Sequence, residues 1–93
     1  MVRAFVLYEG DVDPERYQQH LDEFVSQIPA TFRHGKIVAT PVGEARFHHY
    51  AEFEFPDMES FQQVANSAEF AATGKDAATM GIRFSAQVVV IDE

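Results

Sequence analysis

The run Phe47-His-His-Tyr-Ala-Glu-Phe-Glu-Phe-Pro-Asp-Met-Glu-Ser-Phe61 limits the possible folds more than any other stretch of the chain. Residues 47 to 55 alternate in character, and a strand sends alternate side chains to opposite faces. Phe47, His49, Ala51, Phe53 and Phe55 share one face, and His48, Tyr50, Glu52 and Glu54 share the other. Aromatic groups on one side and carboxylates on the other describe a central strand between two unlike environments. Pro56 lacks the N–H a ladder needs and ends the strand. Asp57 is placed to cap a helix whose apolar pattern opens at Met58 and Phe61.

The flanking segments supply the other elements. Residues 2 to 8 alternate as a strand, with Val2, Ala4, Val6 and Tyr8 on one face and Arg3, Phe5 and Leu7 on the other. Asp13-Pro14 is a helix start, an acceptor side chain followed by proline at the first helical position. Tyr17, Leu21, Phe24, Val25 and Ile28 then recur as one helical stripe up to Pro29, with His20 on its edge. Arg33, His34 and Gly35 read as a loop, and a short strand is expected from Lys36 to about Pro41, with Val38 opposite Ile37 and Ala39. The second helix is expected to break near Asn66-Ser67, where Ser67 caps a further short helix, and again at Gly74. A last strand covers residues 82 to 91, in which Phe84, Ala86, Val88 and Val90 alternate with Arg83, Ser85, Gln87, Val89 and Ile91.

Strand, helix, strand, strand, helix, strand is the βαββαβ order of the ferredoxin-like α+β fold, an antiparallel four-stranded sheet with its helices on one face. At 93 residues the chain reads as one domain, residues 1–93, with nine Phe to fill its core. The face without helices then carries Arg3, Phe5, Leu7, Val38, Tyr50, Glu52 and Val89. Monomers seldom expose such a patch, so a homodimer with the two sheets face to face is expected. Arg3 and Arg83 are expected to meet Glu52 and Glu54 on that face.

Charge and composition narrow the function classes. Fifteen acidic residues against seven basic give a net charge of −8, and no Lys/Arg cluster is present to displace counterions from a nucleic acid. No apolar run approaches the ~18 residues of a membrane span, and the first residues lack a signal-peptide pattern. A cytoplasmic protein without nucleic-acid or membrane partners is expected. The absence of cysteine removes thiol catalysis and thiolate metal sites. No phosphate-binding glycine loop or nucleophile elbow occurs. His48 and His49 are adjacent on a strand and so point apart, which argues against a metal site; neither metal nor cofactor is expected.

His49 is the first candidate for acid–base chemistry, on the face toward the helices, and His20 the second. Each also has a plain structural reading, as a core or rim histidine. Tyr17 lies one turn from His20, and with Tyr8 and Phe53 these residues would border a mostly apolar pocket.

Several segments resemble the EthD-type proteins, named for ethyl tert-butyl ether degradation, within the dimeric α/β-barrel superfamily. They are Phe5-Val-Leu-Tyr8, Asp13-Pro-Glu15, Thr40-Pro-Val-Gly-Glu44, His49-Tyr-Ala-Glu-Phe53, Phe55-Pro-Asp-Met-Glu-Ser-Phe61 and Ser67-Ala-Glu-Phe70. The resemblance spans nearly the whole chain. It implies a dimeric ferredoxin-like fold with a small apolar pocket between sheet and helices. It also implies a hydrophobic metabolite as ligand, handled by a cofactor-independent oxidoreductase, monooxygenase or isomerase, or by a non-catalytic auxiliary protein of a degradation or secondary-metabolism pathway. Family members often carry a histidine, soon followed by proline and leucine, near the end of the first helix. This chain lacks it, and His20, lying earlier, is not its counterpart.

Overall fold

A computed structural model describes residues 1–92. Four strands and three helices follow in the order β1 (Val2–Tyr8), α1 (Pro14–Glu23), β2 (Thr31–Lys36), β3 (His49–Phe55), α2 (Met58–Ala65), α3 (Ala68–Thr79) and β4 (Phe84–Val90). The sheet order is β2-β3-β1-β4 with every neighbouring pair antiparallel. Each helical crossover therefore skips one strand, the ferredoxin-like connectivity. No helix among the described residues is long and apolar enough to cross a membrane.

Local chemistry accounts for the helix ends. Asp13 accepts from the Arg16 N–H, Asp57 from Ser60 and Ser67 from Phe70, so each helix opens on a side-chain cap. Asn66 and Ser67 separate α2 from α3 as the pattern implied. The helical stripe that runs to Ile28 in the sequence does not form one helix. α1 stops at Glu23, and Val25–Gln27 continue as a single 3-10 turn, in which Val25 and Ile28 still reach the core.

The core lies where Val2 and Ala4 of β1 face Phe55 and Phe53 of β3. Phe32 packs on Phe53 at 4.9 Å between ring centroids, and Phe61 meets Phe55 edge-on at 5.4 Å. β4 adds little to this layer. Val88 and Val90 share the helix-side face with Ala4 and Val2, yet they are 51% and 59% exposed because the helices leave that edge open.

Three expectations are corrected. The second strand is Thr31–Lys36, not Lys36 to Pro41. Ile37, Val38 and Thr40 have the higher strand propensity, but Phe32 has a core position to fill and Arg33 has two carboxylates opposite it. Tertiary pairing thus overrides propensity. Val38 consequently lies in the long β2–β3 connection, 88% exposed, and is not on the sheet face assigned to it. β3 starts at His49, two residues late, although His48 already donates its N–H to Tyr8 O and accepts from the Ile37 N–H. Finally, α3 runs unbroken through Gly74.

Candidate functional site

A cavity of about 130 Å³ lies between the helix side of the sheet and the helices. Ala51 and Phe53 of β3 form part of its floor; Tyr8, Tyr17 and His20 form one wall. Gly74 of α3 and Ala86 of β4, both exposed, line it on the side the helices leave open. Small residues at these positions create the space, and the lining is overwhelmingly apolar.

Tyr8 ends β1 opposite His49, which brings its ring to the foot of α1. Tyr17 meets Tyr8 edge-on at 6.0 Å and His49 edge-on at 4.8 Å. Burial pushes the Tyr8 phenol up to about 12. It raises Tyr17 as well, with Tyr8 adding to the effect. Both phenols are therefore neutral hydrogen-bond donors at physiological pH.

His20 is 3% exposed and lines the cavity one helical turn beyond Tyr17. Its Nδ1 lies 2.8 Å from Asp76 Oδ2. Arg16 grips the same carboxylate with both terminal nitrogens, at 2.8 and 3.2 Å, and also reaches the Thr79 hydroxyl at 2.9 Å. Burial alone would raise the Asp76 pKa, but hydrogen bonds from Arg16 and His20 outweigh it and hold the group below the usual carboxylate range. An ionised Asp76 accepts the Nδ1–H, which leaves the lone pair of a neutral His20 on Nε2. No protein hydrogen bond engages His20 Nε2 or the Tyr8 and Tyr17 hydroxyls among the described residues. Three side chains with a polar group free of protein partners thus line one apolar cavity.

Sequence reasoning missed Asp76. Breaking the helix at Gly74 put residue 76 outside any element. Carried through Gly74, the same helix places Asp76 one turn from buried Thr73 and next to buried Ala77, where a carboxylate needs a partner.

His49 is not part of the cavity lining. It faces a wider cleft of about 390 Å³ at the foot of α1, together with Tyr17, His34, Lys36 and His48. Burial, and then the His34 ring, push His49 below the ordinary imidazole value. Its Nε2 is buried without a hydrogen-bond partner. His48 also lines this cleft, 3.8 Å from Asp11. His48 and His49 thus both border the cleft although they are adjacent in the chain. No three His, Asp or Glu side chains converge as metal ligands among the described residues.

On the opposite face of the sheet, Arg3, Phe5 and Leu7 stand across from Glu54, Glu52 and Tyr50, with Val89 beside Arg3. Arg3 lies 3.7 Å from Glu52 and 3.2 Å from Glu54. Arg33, not Arg83, completes this network, at 3.4 and 3.3 Å from the same carboxylates. Arg83 pairs instead with Glu9, since it precedes β4.

An antiparallel β2-β3-β1-β4 sheet with helices on one face and an apolar cavity beneath them is the ferredoxin-like architecture of the dimeric α/β-barrel superfamily. No family model matches the sequence, and no curated protein sequence does. Solved structures do match. An ethyl tert-butyl ether degradation (EthD) family protein from Bacillus halodurans is 27% identical, covers 99% of both chains and superposes with a TM-score of 0.76. A dimeric ferredoxin-like protein of unknown function from Jannaschia is 16% identical over 97% of this chain and 98% of its own, with a TM-score of 0.72. Hydroxynitrile lyase from Passiflora edulis is 17% identical over 99% and 94%, at 0.74. The last two likenesses concern the fold alone. The chain is thus similar to the EthD family protein over nearly its whole length.

Proposed function

We propose that this chain, acting as one domain, binds a small hydrophobic metabolite in the inner cavity and transfers a proton to or from it without a cofactor. The observation that carries this reading is His20, oriented by Asp76, with Nε2 unpaired beside an apolar space. A volume of about 130 Å³ suits a single six-membered ring, since a dry cavity of about 150 Å³ takes up benzene. His20 Nε2 would accept a proton from an acidic C–H or O–H of the ligand. Asp76 would stabilise the imidazolium formed, and a Tyr8 or Tyr17 hydroxyl would hydrogen-bond the developing oxyanion. Returned to a different carbon, that proton completes an isomerisation.

Hydrogen–deuterium exchange at the α-carbons of cyclohexanone, followed by NMR, tests the reading. The wild-type protein is expected to accelerate exchange, and His20→Gln to lower that acceleration by about 10²–10⁴-fold. Binding of cyclohexanone with no exchange, unaltered in His20→Gln, would make the protein a carrier.

Two copies are further inferred to associate through the sheet face bearing Arg3, Phe5, Leu7, Tyr50, Glu52 and Val89. Glu52 Oε2 and Arg3 Nε are buried there without a hydrogen-bond partner, and the Jannaschia neighbour is described as dimeric. A stable pair of this kind buries at least ~1,000 Å². Sedimentation should show a dimer for the wild type and a monomer or aggregate for Leu7→Asp, which introduces an unpaired charge into the contact. A stable wild-type monomer would refute the association.

A further inference from the structure

We infer that the ligand of the inner cavity is a small carboxylic acid, its apolar body beside His20 and its carboxylate in the outer cleft at Lys36, His34 and His49. The inference rests on the cavity reading and adds the chemical class of the ligand to it.

The cleft departs from the charge of the rest of the molecule. In a chain of net charge −8, its ionisable lining is Lys36, His34, His48 and His49 against Asp11 alone, whose side chain is 81% exposed. All five arginines are engaged by carboxylates of the chain: Arg3 and Arg33 by Glu52 and Glu54, Arg16 by Asp76, Arg46 and Arg83 by Glu9. Lys36 has no such partner among the described residues and stands across the ladder from His49. The buried, unpartnered His49 Nε2 adds a polar group that nothing in the chain satisfies. These groups favour an anion, which accepts from an ammonium and from imidazole N–H groups together.

Tyr17 lines both spaces. Their spacing follows from the strand. Ala51 floors the cavity and His49 is the next residue of β3 on the same face, a step of about 7 Å. A ring in the cavity and a carboxylate at Lys36 are thus about two or three methylenes apart, as in 3-phenylpropanoate.

Isothermal titration of the full chain with 3-phenylpropanoate and with 3-phenylpropan-1-ol separates the two claims. The acid is expected to bind about tenfold more tightly than the alcohol, the worth of one charge-assisted hydrogen bond. Lys36→Gln combined with His34→Gln, both at exposed positions, should erase that preference by weakening the acid far more than the alcohol. Equal affinity of acid and alcohol for the wild type would overturn the carboxylate assignment while the cavity reading stood. A preference that survives the double substitution would overturn it too. If neither compound binds, both readings fall.

Discussion

One strand, β3, is buried on both faces by different physics. Toward the helices, Ala51, Phe53 and Phe55 are buried by packing: rings from Phe32, Phe61 and Phe70 lie within 5.7 Å of those of Phe53 and Phe55, centroid to centroid. Away from the helices Glu52 is just as hidden, 4% exposed, though no element of the chain covers it. The side chains of Arg3 and Arg33 close over it, with Tyr50 and Phe5 alongside at 6.0 Å from each other. Apolar burial fills space and is indifferent to direction, whereas burial of a carboxylate demands donors for both oxygens. From Ala51 to Phe55 the first face is complete within one chain. The second leaves Glu52 Oε2 and Arg3 Nε short of hydrogen bonds, a debt that packing cannot discharge.

The contrast can be broken most severely at Phe55, 1% exposed and fully within the packed layer. Phe55→Ala should cost about 3–5 kcal/mol in denaturant unfolding, the transfer energy of the ring plus the void it leaves. Asp76→Asn asks whether a charge on the packed side behaves like Glu52 on the other. A loss of about 2 kcal/mol at neutral pH is expected, from charge-assisted hydrogen bonds to Arg16 and His20. Asp76 is held below its unfolded value, so this stability is fully present above about pH 4. It disappears as pH falls through the lower folded value, and wild type and variant should converge in acid. Glu52→Gln should cost about 1 kcal/mol, because Arg33 and Arg3 are partly solvated and retain Glu54. Its larger signature should be a shift in dimer dissociation. Ser67→Ala, which removes the cap of α3 without touching either face, should cost about 1 kcal/mol and serve as the baseline.

The parts of this architecture visible in the sequence were those with strong local signals. Alternation at residues 2–8 and 49–55, the Asp13-Pro14 start and the caps at Asp57 and Ser67 each carry their cause within a few residues. β2 does not. Thr31–Lys36 contains a glycine, an arginine and a histidine, and becomes a strand only because Phe32 and Arg33 find partners on β3, about twenty residues later. The same limit applies to the site. Tyr8, Tyr17, His20 and Phe53 follow from periodicity, and the structure puts all four at one cavity. The aspartate that orients His20 comes from fifty-six positions away. No spacing rule links residues so far apart, and the glycine before it suggested that the helix had ended.

That glycine sets how open the cavity is. Gly74 sits inside a helix, where alanine would be preferred by about 1 kcal/mol. A methyl group built there would meet nothing within 4 Å. Neither packing nor backbone geometry forbids the exchange, so the more robust helix is a single substitution away. What the substitution alters is the aperture between α3 and β4. Alanine would add thermal tolerance and narrow the entrance, and bulkier side chains would carry the trade further. Selection for robustness and selection for an open cavity thus pull against each other at one position, and descendants of this chain can diverge in what the cavity admits while every other lining residue stays in place.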